Sequence, residues 1–336
     1  MSEDKEKLCR TITNDFYSQG FGNTPMLKYE TPNGSAVYSK LEYFNPFGSI
    51  KDRGAFFMID HLIHTDDSIK NKIIVEGTSG NTGIAIGNIC RKLGIKSMLF
   101  IPPGTSEETK KELIKSGATV IETNEPKDTT STETAINSAI DIAMKQPETY
   151  VCLHQHGNEF NYLSHVYTTA PESEKQMGKL PDAVAIAMGT GGSIIGNAKY
   201  FKGRSPTITV YMLQSDQTSY IQGIRNFLKA KDKTIIEKNI SLVDKMINVN
   251  ERDASDGVQK LARELGIFVG FSSGANFMGA LKIAESRENI NVYTVFPDSG
   301  VKYSEFYHNS GILTGMEIED LSTTVREMRD GFISFK

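Results

Sequence analysis

The stretch NPFGSIKDRGA, Asn45 to Ala55, sets one lysine, Lys51, between a Gly-Ser turn and an Asp-Arg pair. A lysine amine becomes a nucleophile or a base once burial lowers its pKa. Two other stretches carry residues able to grip anions. GTGGSIIG, Gly189 to Gly196, follows an apolar run and opens a helix-like segment. Its glycines let backbone N–H groups converge, and a helix N-terminus adds positive potential, which together suit a phosphate. The loop lacks the Gly-Lys-Ser/Thr ending of a nucleotide P-loop and the spacing of the dinucleotide fingerprint, so a plain glycine turn is the other reading. EGTSGNTG, Glu76 to Gly83, offers neutral donors (Thr78, Ser79, Asn81 and Thr82) where a helix begins. Such donors suit a carboxylate held without a full countercharge, and a well-capped helix is the alternative. A lysine, a phosphate cradle and a carboxylate cradle together are the parts of a pyridoxal 5'-phosphate enzyme acting on an amino acid.

The elements that must position these loops alternate. KIIVEG, KSMLFIPP and TVIET read as strands, and TGIAIGNICRKLG and SEETKKELIKSGA between them read as helices. AVAIAMGTGG, ITVYMLQSD and VYTVFPDSG are further strand runs, separated by helix-like segments such as VQKLARELG and GALKIAES. This alternation predicts an α/β fold of mainly parallel sheets covered by helices, with ligands at the carboxyl ends of the strands. At 336 residues the chain is long enough for two lobes around a cleft. The expected division is a smaller mobile lobe over 42–152, with the carboxylate loop, and a larger lobe over 1–41 and 153–336, with the phosphate loop.

A net charge of -4 without any basic run excludes nucleic acid and membrane surfaces as expected partners. The polar start MSEDKEKLCR is no signal peptide and no apolar run reaches spanning length, so a cytoplasmic protein is expected. The three cysteines match no metal or disulfide spacing, and Cys90 and Cys152 read as small buried hydrophobes.

NPFGSIKDRGA, TSGNTG, GTGGS and GFSSGA stand in the order found in the cysteine synthase family, the fold-type II (tryptophan synthase β-like) pyridoxal-phosphate enzymes, and the chain resembles that family from GNTPML to FPDSGVKYSEF. The resemblance implies that Lys51 is the Schiff-base lysine and that Asn81 hydrogen-bonds the cofactor's ring oxygen. It implies that Gly189, Thr190, Gly191, Gly192 and Ser193 hold the phosphate and that Ser272 faces the pyridine nitrogen, with an N-cap role open to Ser272 as well. Thr78, Ser79, Thr82 and Gln155 would bind the substrate carboxylate. The implied reaction is β-replacement through an α-aminoacrylate, making L-cysteine from O-phosphoserine or O-acetylserine and sulfide or thiosulfate, in a homodimer. Asp52 and Arg53 read as a structural ion pair or as helix-start charges.

HQHGNEFNYLSH, His154 to His165, resembles the B-type members, and YIQGIRNF carries Arg225 where A-type members have glycine. An arginine at the cleft mouth suits a phosphate or sulfonate, or else a neighbouring salt bridge. The chain departs from the family pattern in Gly77, usually proline, in Ser193, usually threonine, in TTAPE (Thr168 to Glu172), and in His156. Rival readings are a cystathionine β-synthase or another β-replacement or β-elimination enzyme of the same fold, a non-catalytic binding scaffold, and a nucleotide-binding module.

Overall fold

The computed structural model describes residues 1–126 and 131–334. Its strands are β1 (Met26–Glu30), β2 (Ala36–Leu41), β3 (Ile73–Gly77), β4 (Lys96–Ile101) and β5 (Thr119–Glu122), then β6 (Tyr150–Cys152), β7 (Ala183–Ala187), β8 (Thr209–Ser215), β9 (Lys245–Val249) and β10 (Asn291–Phe296). Two sheets hold them. One has the order β1-β2-β10-β7-β8-β9 and the other β5-β4-β3-β6. Every pairing is parallel except the β1–β2 hairpin at the edge of the larger sheet. No helix of the described residues is long and apolar enough to cross a membrane.

Strands β7, β8 and β10 of the larger sheet are buried on both faces, which explains why they read as nearly continuous apolar runs. Successive side chains in a strand point to opposite faces. Along β10, Val292 and Phe296 enter one apolar layer, and Tyr293 and Val295 the other. In β7 the alanines 183, 185 and 187 face the first layer while Val184 and Ile186 face the second. A third cluster lies where the Lys51–Thr65 helix, through Phe56, Phe57 and Ile59, meets Ile86 and Ile89 of the Asn81–Leu93 helix.

The sequence departure at Gly77 has a steric cause. A Cβ there would lie 2.3–2.4 Å from backbone atoms of Ala135 and Ile136, in the Glu133–Lys145 helix. Proline, which carries that carbon, has no room. Cys9 and Cys90 are buried, but Cys152 is only half-buried, because β6 is a three-residue strand at the edge of its sheet. Burial pushes the Cys9 thiol up to about 11 and the Cys90 thiol up to about 12, and raises Cys152 too.

Asp52 and Arg53 do not pair with each other. Asp52 Oδ2 accepts a hydrogen bond from the Phe47 N–H at 2.6 Å. Arg53 turns the other way, into a fully buried cluster. Its Nε and Nη2 donate to the two oxygens of Glu42 at 2.6 and 2.8 Å, and its Nη1 and Nη2 to those of Glu172 at 2.8 and 2.9 Å. Lys40 Nζ, also buried, reaches Glu172 Oε2 at 2.9 Å and the Thr24 carbonyl at 2.6 Å. Two cations thus meet two anions, all hydrogen-bonded. Burial alone would raise the Glu172 carboxyl, but the Arg53 and Lys40 charges hold it well below the usual range. Arg53→Ala leaves two buried carboxylates short of donors, so it should cost about 3–5 kcal/mol of stability, read by guanidinium unfolding. A loss near that of a surface pair, below about 1 kcal/mol, would show that the carboxylates do not depend on it.

Candidate active site

The carboxyl ends of β3, β7, β8 and β10 open onto one cavity of about 840 Å³ between the two sheets. Lys51 lies on its wall as the first residue of the Lys51–Thr65 helix. The loop before it is pinned to the end of β10, where the Ile50 N–H donates to the Pro297 carbonyl at 2.8 Å and Ser49 bridges Asp298. The amine is lowered from the ordinary lysine value, chiefly by burial. The Asp298 carboxylate opposes this shift and the Lys302 ammonium adds to it.

The loop after β7 leads into the 13-residue Gly192–Arg204 helix, and its cap, Gly191, offers no capping side chain. Gly191 has φ +93°, and a Cβ there would meet Ile236 at 2.6 Å, so only glycine suits the position. Gly189, Thr190 and Ser193 line the cavity, with Gly191, the cap, and Gly192, the first helical residue, between them in sequence. Asn161 braces the loop by donating to Thr190 Oγ1 at 3.0 Å.

Across the cavity, the loop after β3 begins the Asn81–Leu93 helix. Thr78 Oγ1 accepts from the Gly80 and Gly83 N–H groups, each at 3.2 Å. Thr82 donates to Gln155 Oε1 at 2.9 Å, which joins two residues 73 positions apart. Ser79 lines the same wall. Behind it is Glu76, fully buried, whose Oε2 accepts from the Gln155 N–H at 3.2 Å while Oε1 has no hydrogen-bond partner among the described residues. Burial pushes this carboxyl up to about 7, against the pull of the Gln155 N–H.

Ser272 also lines the cavity, but it is not the helix cap. The Phe271–Glu285 helix is capped by Gly270, and Ser272 stands inside its first turn, its hydroxyl without a hydrogen bond to a described residue. Arg225 is half-buried and makes no salt bridge among the described residues. Its Nη1 contacts His156 Nδ1 at 2.9 Å and donates to the Asp232 carbonyl at 2.6 Å, leaving Nη2 and Nε without hydrogen-bond partners among the described residues. Burial and the nearby Arg225 charge push His156 down to about 3, so it accepts from Arg225 as a neutral ring.

Two cavity residues had no assigned role in the sequence reading. Asp298 Oδ2 accepts from Asn81 Nδ2 at 2.8 Å and from the Tyr303 hydroxyl at 3.1 Å, and it pairs with Lys302, whose Nζ also donates to Asn81 Oδ1 at 2.6 Å. Both lie in FPDSGVKYSEF, where the charge was legible but its long-range partner was not.

The residues fit pyridoxal phosphate on three counts: a lysine amine depressed by burial, a glycine-capped helix start without a side-chain cap, and the unpartnered Ser272 hydroxyl. Such a site in an α/β fold defines a pyridoxal-phosphate-dependent enzyme, and residues 17–298 match the family described as pyridoxal-phosphate dependent enzymes. Within that class the chain belongs to the cysteine synthase family. It is 33% identical to cysteine synthase B of Escherichia coli over 290 residues, covering 85% of this chain and 93% of that protein. It is 31% identical to the O-acetylserine dependent cystathionine beta-synthase of Bacillus subtilis, over 90% of this chain and all of that one. The crystal structure of a cysteine synthase from Entamoeba histolytica superposes with a TM-score of 0.80 at 28% identity, covering 91% of this chain and 93% of the other.

The Glu76 proton should be visible in stability. Its folded value, about 7, lies above the ordinary 4.5, so the folded chain binds this proton more tightly than the unfolded chain. The contribution is fully present below about pH 4.5 and is lost as pH rises through about 7. Relative to Glu76→Gln, the wild type should lose roughly 3 kcal/mol of unfolding free energy between pH 4 and 8. A difference flat with pH would show that folding leaves the Glu76 carboxyl unshifted.

Proposed function

We propose that the enzyme makes L-cysteine by β-replacement, taking O-phosphoserine or O-acetylserine as substrate and sulfide or thiosulfate as sulfur donor. The observation that carries this reading is the convergence of Lys51 with two helix starts of different character on one cavity. Bound there, pyridoxal phosphate supplies the electron sink that lets a β-substituent leave and a nucleophile take its place.

In this reading Lys51 holds the cofactor covalently and, once displaced, takes the α-proton of the substrate. Its lowered pKa keeps a share of the amine unprotonated and able to accept that proton. Gly189, Thr190, Gly191, Gly192 and Ser193 hold the phosphate through backbone N–H groups and two hydroxyls. Asn81, whose amide still has one N–H without a described partner, serves the ring oxygen, and Ser272 serves the ring nitrogen. A neutral hydroxyl there leaves the ring less electron-withdrawing than a carboxylate would, which favours elimination over transamination. Thr78, Ser79, Thr82 and Gln155 orient the substrate carboxylate. Burial, by raising the Glu76 carboxyl, lessens the like charge that carboxylate meets. Arg225 directs Nη2 and Nε at an anionic leaving group or sulfur donor.

The reading includes a smaller mobile lobe over 42–152 closing on the remainder, a homodimer, and a cytoplasmic location. The confinement of the four-stranded sheet to residues 73–152 supports the lobe assignment. Small-angle scattering with and without substrate reads closure, and light scattering reads the dimer.

A second reading, β-replacement by a larger thiol as in cystathionine synthesis, is favoured by the size of the cavity. It extends past Arg225 to Glu133, Tyr220, Lys229 and Lys231, further than sulfide requires. The ratio of homocysteine to sulfide turnover decides between them.

Two variants test the assignments. Lys51→Ala should lose the borohydride-stable link to the cofactor while keeping some cofactor through the phosphate loop; a reduced adduct like the wild type's would remove Lys51 from its role. Arg225→Ala should lower kcat/KM for O-phosphoserine by about ten- to a hundredfold, since a hydrogen bond to a charged group contributes about 1.5–3 kcal/mol. It should leave O-acetylserine nearly unchanged, both measured with sulfide. Equal falls would make the arginine structural, and a loss confined to thiosulfate would place it at the second substrate.

A further inference from the structure

On the surface away from the cavity, three potential ligand atoms meet between two helices. Asp15 comes from the Glu3–Ser18 helix, and Asp60 and His64 lie one turn apart on the Lys51–Thr65 helix. Their ligand atoms lie within 4.8 Å of one another. His64 Nε2 is 3.2 Å from Asp15 Oδ2 and 3.5 Å from Asp60 Oδ2. Around a tetrahedral zinc with bonds near 2.0–2.1 Å, ligand atoms stand about 3.3 Å apart.

Hydrogen bonding within the cluster does not account for it. One imidazole nitrogen carries at most one proton and cannot serve two carboxylates at once. Asp60 is the group left over: the residue is only 6% exposed, and its Oδ2 has no hydrogen-bond partner among the described residues. A buried carboxylate oxygen without a donor is costly, and a cation bound beside it relieves that cost. The helices that carry the three residues are held apart from them, by Phe16 packing edge-on against Phe56 and Phe57 at 5.5 and 5.8 Å. Asp15 and His64 stay partly exposed, 42% and 34% by side chain, which leaves an open side for water.

We propose that Asp15, Asp60 and His64 form a divalent-cation site with two carboxylate oxygens and one imidazole nitrogen, completed by water. The mixed nitrogen and oxygen donors select zinc over magnesium or calcium, which take oxygen ligands. Asp60 is nine residues along the helix from Lys51, about 14 Å at 1.5 Å per residue, so the ion sits outside the catalytic cavity. Its effect is to fasten the N-terminal helix to the helix that presents Lys51.

The test uses the holoenzyme, dialysed against a chelator and titrated with zinc chloride in competition with a chromogenic chelator. One zinc per chain is expected, with a higher melting temperature in the loaded protein. Asp60→Asn and His64→Gln should each weaken that binding at least tenfold. Unchanged affinity in both variants, or no binding by the wild type, overturns the proposal. X-ray absorption at the zinc edge on the loaded wild type keeps the test independent of how the variants fold. Nitrogen and oxygen neighbours with an imidazole signature support the site, and sulfur neighbours would assign the zinc to a cysteine instead and overturn it.

Discussion

Arg53 lies two residues beyond Lys51 in the same helix, and its guanidinium is forked between Glu42 and Glu172. Glu42 follows β2 of the larger sheet, and Glu172 lies on the Ala170–Met177 helix beside it. The start of the lysine helix is therefore fastened to the larger sheet by four short charge-assisted hydrogen bonds in an interior that excludes water. A fork that binds two planar carboxylates fixes orientation as well as distance, which a lysine ammonium would not. The first turn of that helix points Lys51 at the cavity, and the Ile50 to Pro297 hydrogen bond ties the preceding loop to β10. The reacting amine is positioned from both sides, by ionic contacts behind it and backbone contacts in front.

The cavity separates its charges by function. Lys51, Asp298 and Lys302 cluster near the end of β10, while the two loops present backbone N–H groups, hydroxyls and amides. Neutral donors grip an anion without making its release too costly, which suits a site that must exchange substrate and product each turnover. At the mouth, Arg225 is held by a neutral His156 and a backbone carbonyl. Neither contacting atom is a charged oxygen, so Nη2 and Nε stay available to an incoming anion.

Local patterns made much of this legible. The apolar runs of β3, β4, β7, β8 and β10 stood out because a parallel strand covered on both faces has no polar alternation to dilute it. The glycine and hydroxyl clusters after β3 and β7 were readable because both loops are continuous in sequence. What stayed hidden depends on distant partners. Arg53 and Glu172 are 119 residues apart, and nothing in KDRGA shows that Arg53 turns away from Asp52. β2 carries Ser39 and Lys40 in a fully buried strand, so its sequence, AVYSKL, lacks an apolar signal, yet Lys40 is needed by Glu172. Gly77 stands where the family pattern has proline, and its reason is the backbone of the Glu133–Lys145 helix pressed against it.

The three cysteines, unremarked in spacing, bear on chemical durability. A protein that handles sulfide and releases a thiol product works in contact with reagents that form mixed disulfides and persulfides. Those exchanges begin with a thiolate, and burial holds Cys9, Cys90 and Cys152 as thiols across the physiological range. Their inertness follows from desolvation and needs no disulfide for protection. The catalyst is thereby kept from becoming a substrate of its own sulfur chemistry.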